Sequence, residues 1–186
     1  MSNRTEAEKI IRSHVLWAMG GGLIPIPLVD FAAVTAIQLE MLQQLARLYD
    51  VPYTQNTGKT FVSALTGTTV ARLGASMLKA IPGIGSVVGG LSMSVASGAS
   101  TYAVGQVAIN LFTNSGSLVD FNLDFVKQAY DKAYEKGKGY VADLEDEQEE
   151  AADVYQQLEK LGKLKEKGII SDEEFETKKQ ELLSRI

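Results

Sequence analysis

The apolar positions of this chain recur with helical spacing from end to end, and no stretch shows the alternation of a half-buried strand. Residues 5–19 open on Thr5 with Glu8 three places on, the spacing of a capping box, and bring Ile10, Ile11, His14, Val15 and Ala18 near one another. Gly20, Gly21 and Gly22 end that helix. Pro25 and Pro27 fit a turn and a first helical turn, so a second helix is predicted from Pro27 to Tyr49. Asn56-Thr57-Gly58 reads as the next break, with a third helix over Thr60–Lys79 and a fourth over Ile84–Phe112 beyond Pro82-Gly83.

The fourth helix carries the least usual pattern. Ala80 to Val119 contains no charged side chain, yet it is rich in Gly, Ser and Ala rather than Leu and Ile. Gly85, Gly89, Ser92, Ala96, Ala99 and Ala103 follow a four-three spacing and form one narrow stripe of small residues. Gly67, Ala71 and Gly74 give the third helix a similar edge. Small residues remove the bulk that holds helix axes about 8–10 Å apart, so a closely packed antiparallel hairpin of these two helices is expected, and with it self-association.

From Val119 the pattern becomes that of a long charged helix, with Phe121, Phe125, Ala129 and Ala133 at four-residue spacing. Gly137 and Gly139 each cost about 1 kcal/mol in a helix interior, so a bend is expected there. Val154, Leu158, Leu161 and Leu164 resume a short apolar seam. Lys167-Gly168 closes it, and Ser171 with Glu174 caps a last helix that carries Phe175, Leu182 and Leu183. So small a hairpin does not bury its apolar face alone, which makes Leu158, Leu161, Leu164, Phe175 and Leu182 docking residues for a partner or a second copy.

Charge sharpens this division. Residues 1–116 carry seven Lys/Arg and five Asp/Glu, and residues 117–186 carry eleven and eighteen, so the net charges are +2 and −7. The expected organisation is a glycine-rich helical-hairpin domain over 1–116, a charged helical linker over 117–153 and a C-terminal hairpin over 154–186. The acidic tail and the lack of a basic footprint argue against nucleic acid as a partner. The chain has no Cys, which excludes disulfides, thiol nucleophiles and soft metal sites. Glu6 and Glu8 interrupt any basic leader region, so a secretory signal is not expected and the protein is placed on the cytoplasmic side.

Candidate chemistry is sparse. Gly58-Lys59-Thr60 has the ending of a phosphate-binding loop, but Tyr53 occupies the position of its first glycine and no strand precedes it. His14 is the only histidine and sits on the contact face of its helix. Asp30 is explained either as a first-turn carboxylate favoured by the helix dipole or as a buried ion or proton site paired with His14 or Arg72. Trp17, Tyr49, Tyr53 and Tyr102 are interfacial anchors or ordinary packing residues. The acidic run Asp143–Glu150 lacks the spaced ligands and central glycine of a calcium loop. No catalytic residue, metal site or cofactor is expected.

Ile10-Ile11-Arg-Ser-His14, Ala18-Met19-Gly20, Gly22-Leu-Ile-Pro-Ile-Pro27, Asp30-Phe31, Gln38-Leu-Glu-Met-Leu42 and Ile81-Pro82-Gly83-Ile-Gly85 together resemble the bacterial family called domain of unknown function 697. The resemblance implies a helical, membrane-associated module that often stands beside a GTPase domain; this chain has no such domain, so nucleotide chemistry does not carry over. Leu158 to Phe175, with its Gly168-Ile-Ile-Ser171-Asp-Glu-Glu-Phe175 turn, resembles the short C-terminal domain, which implies a docking or oligomerisation element.

The sequence thus predicts an all-α protein of antiparallel helical hairpins, acting as a non-enzymatic, self-associating scaffold on the cytoplasmic face of a membrane. Its expected partners are itself and membrane lipid. The alternative is a soluble cytoplasmic adaptor or GTPase partner whose glycine-rich hairpin is a buried core.

Overall fold

The computed structural model describes residues 3–20, 31–77, 93–119 and 121–186; the side chains of residues 31, 68–77 and 93 lie outside that description. Among the described residues the chain is all-α. Its helices are α1 (Asn3–Ala18), α2 (Phe31–Leu48), α3 (Gln55–Met77), α4 (Met93–Asn114), α5 (Leu123–Glu166) and α6 (Asp172–Leu183).

Local chemistry sets the helix ends. Asp50 takes a left-handed φ of 54° after α2, and the Val51 N–H returns to the Ala46 carbonyl at 2.9 Å. Gly116, with φ of 62°, follows α4 and itself donates to the Leu111 carbonyl at 3.1 Å. Gly168, at φ 66°, closes α5, as the sequence predicts.

The start of α3 departs from expectation. Thr54 Oγ1 accepts from the Thr57 N–H and Thr57 Oγ1 from the Thr54 N–H, both at 3.2 Å. This reciprocal cap draws Asn56-Thr57-Gly58 into the first turn of α3 rather than leaving them as a break. Gly58-Lys59-Thr60 is therefore helical. A β-carbon on Gly58 would strike the Tyr53 ring and Leu39, so this glycine serves packing.

The tertiary contacts form two units, Met1–Val141 and Ala142–Ile186, with the division inside α5. In the first unit α1 packs on α4 and α2, and α2 packs on α4 and α3. Among the described residues the direct meeting of α3 with α4 is the least extensive of these. The core is built from Ile11 and Val15 of α1, Met41, Leu42 and Leu45 of α2, Phe61 and Leu65 of α3, and Val104 and Ala108 of α4, all fully buried. Phe61 meets Phe121 edge-on at 5.7 Å between centroids. Gly105 admits α1 to α4: a β-carbon there would stand 2.7 Å from Ile11 Cγ1 and 2.8 Å from its Cδ1.

The first half of α5 also belongs to this unit. Helix α5 runs unbroken over Leu123–Glu166, through Gly137 and Gly139, where a bend is expected. At Gly137 the backbone of α5 lies so close to α4 that a β-carbon would be 3.0 Å from both Ala99 Cα and Ala99 O. Composition marks a boundary near 116, but packing carries the first unit through Val141.

In the second unit α6 begins with the predicted capping box. Ser171 Oγ accepts from the Glu174 N–H at 3.2 Å, and the Ser171 N–H donates to the Glu174 carboxylate at 2.8 Å. The backbone and side-chain hydrogen bonds from Ser171 hold the Glu174 carboxyl below the usual carboxylate range. A depressed folded-state pKa stabilises the helix above the unfolded value and loses that contribution as pH falls through the folded one. Helicity of α6 should therefore drop in acid through this window. Glu174→Ala should remove that step, read by residue-resolved NMR shifts against pH; an unchanged acid profile would detach Glu174 from the cap. Ser171→Ala should destabilise α6 by about 1 kcal/mol.

Candidate functional site

The chemically richest arrangement among the described residues is a hydrogen-bonded cluster buried where α2, α4 and α5 meet. Gln38 lies on the apolar face of α2, in register with Met41, Leu42 and Leu45, and is 1% exposed. Its Nε2 donates to Ser100 Oγ at 3.2 Å and to Thr101 Oγ1 at 3.3 Å on α4. Ser100 Oγ shares a 2.9 Å hydrogen bond with the Tyr130 hydroxyl of α5, and Tyr130 is also buried. Three helices thus bring four polar groups together: one from α2, two from α4 and one from α5.

Aromatic rings extend the cluster along α5. Tyr130 stacks on Tyr134 at 6.1 Å, and Tyr102 of α4 meets Tyr140 at 4.8 Å. Burial, followed by the neighbouring Tyr130 and Glu135, pushes the Tyr134 hydroxyl up to about 12. Burial likewise raises Tyr102, with Glu8 and Tyr140 adding to the effect and Arg4 opposing it. The Tyr134 and Tyr102 phenols are accordingly neutral at physiological pH.

The cluster's chemistry is that of a satisfied core. Every buried side-chain nitrogen and oxygen among the described residues has a hydrogen-bond partner. No grouping of three His, Cys, Asp or Glu suited to a metal occurs among them. The arrangement can fix the register of three helices, because each polar group would lose its partner on a slip of one position.

The sequence-predicted residues fall in several places. His14 is buried on α1 and, as the Nδ1–H tautomer, donates to the Ile10 carbonyl at 2.8 Å, with Ser13 Oγ at 3.4 Å. Its expected companion Asp30 lies outside the described residues, and Arg72 lies on α3 with its side chain outside them. Gly85, Gly89 and Ser92 of the small stripe are also outside. Ala71 and Gly74 fall on α3 where side chains are not described, and Gly67 is exposed with open space where a β-carbon would stand. Ala96, Ala99 and Ala103 are buried in α4. The partner of Ala99 is Gly137 of α5 in the same chain, a contact the helix-three edge did not suggest.

In the C-terminal hairpin Leu158, Leu161, Phe175 and Leu182 are half-buried and Leu164 is 38% exposed. Lys165 and Lys179 hold the Phe175 ring between them, at 4.5 and 5.9 Å from its centroid. Trp17, by contrast, is exposed at the end of α1.

Comparison with known proteins agrees with the two-part organisation. Residues 2–139 match the family described as Domain of unknown function (DUF697), and residues 156–183 match the Short C-terminal domain. The Magnetosome membrane protein 22 of Magnetospirillum gryphiswaldense is 36% identical over 151 residues, which cover 78% of this chain and 77% of that protein. No solved structure matches.

Proposed function

We propose a function from one premise: the chain belongs to the DUF697 family and ends in a Short C-terminal domain. The protein is a non-enzymatic scaffold that associates with a cytoplasmic-facing membrane and with copies of itself. The observation that carries the reading is the relative of 36% identity, itself named a membrane protein, which matches most of this chain. The charge-free run from Ala80 to Val119 supports it, since such a run avoids the cost of bringing charge to lipid. The half-buried apolar residues of the C-terminal hairpin support the self-associating part.

No described helix is long and apolar enough to cross a membrane. That observation favours a second reading, a soluble oligomeric adaptor or GTPase partner. The two separate in one experiment. The full chain is expressed without detergent, partitioned between membrane and supernatant, washed in high salt, and its soluble fraction sized by light scattering. The scaffold reading expects salt-resistant sedimentation with membrane. A discrete soluble oligomer would favour the adaptor, and a soluble monomer would overturn both.

A further inference from the structure

Tyr155 and Gly162 stand seven residues apart and lie on one stripe of α5, and Ile169 lies in the turn beyond the helix. Tyr155 is 62% and Ile169 64% exposed, and apart from the helix's own adjoining backbone no described atom lies within 4 Å of where a β-carbon on Gly162 would be. A glycine in a helix interior costs about 1 kcal/mol against Ala. Gly98, Gly105 and Gly137 repay that cost in contacts that a β-carbon would obstruct, whereas Gly162 has no such neighbour in its own chain.

Charge identifies the occupant. Asp143 to Asp153 holds seven carboxylates and no base, whereas Lys160 to Lys167 holds four lysines and one carboxylate. The midpoint between these blocks falls at Tyr155 and Gln156. A parallel neighbour of the same sequence would set acid against acid, while an antiparallel one sets each acidic block against a basic one.

We infer that α5 pairs antiparallel with α5 of a second copy, with the two Tyr155 side chains meeting at the two-fold axis. Gln148, seven residues before Tyr155, then lies over Gly162, seven after it, in the second copy. The lysines of each chain meet the carboxylates of the other. This deepens the self-association proposed above and rests on it; it assigns that association to a surface, an orientation and a register.

The absence of Cys makes single-cysteine variants of the full chain clean probes. Tyr155→Cys should cross-link rapidly under mild oxidation. Glu166→Cys should not, because its two copies stand about 33 Å apart along the paired helices at about 1.5 Å rise per residue. Gly162→Gln in the Tyr155→Cys background should weaken dimerisation about tenfold, although Gln is the better helix former. Circular dichroism confirms folding, and light scattering of the native chain provides the reference. Glu166→Cys cross-linking in place of Tyr155→Cys would overturn the orientation. Cross-linking insensitive to Gly162→Gln would be collisional and overturn the surface. If the native chain self-associates but Tyr155→Cys does not cross-link, this inference fails alone. A monomeric native chain would overturn it together with the self-association on which it rests.

Discussion

Tyr130→Ala should lower the unfolding free energy of the first unit by about 3–5 kcal/mol, and Tyr130→Phe by about 1 kcal/mol. The ring is among the largest fully buried side chains, so its truncation opens a cavity between α4 and α5 and removes the stacking surface of Tyr134. The Ala variant also deprives Ser100 Oγ of its 2.9 Å partner. Phe keeps the packing and removes only the hydroxyl, while Gln38 continues to donate to Ser100 at 3.2 Å. Urea unfolding followed by circular dichroism measures both. A double-mutant cycle of Ser100→Ala with Tyr130→Phe should show a coupling of at least about 0.5 kcal/mol, since the two share one hydrogen bond. A Tyr130→Ala cost below about 1 kcal/mol would mean that α5 does not belong to the core.

Much of this architecture was legible in local patterns. Gly168 and the Ser171–Glu174 box mark helix ends because a positive φ and a capping carboxylate are properties of short segments. Thr54 and Thr57 cap by the same logic, but the Asn-Thr-Gly composition beside them outweighed the signal and placed the start of the third helix too late. Tertiary pairing was less accessible. Small residues indicate that something approaches α4 closely without identifying what does. For Ala99 the answer is Gly137, on a segment whose charge had suggested a linker. The polar cluster had one readable sign: Gln38 occupies an apolar position of α2, in line with Met41, Leu42 and Leu45. A polar residue there requires buried partners, yet Ser100, Thr101 and Tyr130 are selected only by the packing of three helices.

The same substitution at two neighbouring glycines should have opposite signs. Gly137→Leu is expected to destabilise the first unit by about 3 kcal/mol, the upper part of the overpacking range. Gly139→Leu should stabilise the helix by about 0.5–1 kcal/mol through propensity alone. Both residues stand in α5, and sequence alone gives each the same cost to a helix. The difference is tertiary. At Gly137 a β-carbon meets the backbone of Ala99 at 3.0 Å and Tyr102 Cδ1 at 3.1 Å, and backbone cannot rotate aside as a flexible side chain can. A longer side chain must force α5 away from α4, which also stretches the Ser100–Tyr130 hydrogen bond on the same interface. At Gly139 a β-carbon meets nothing within 4 Å. Denaturant midpoints of the two variants decide the matter. Stabilisation by both would show that α5 does not approach α4 at Gly137, and destabilisation by both would tie the two glycines to the bend expected there rather than to packing at Gly137 alone.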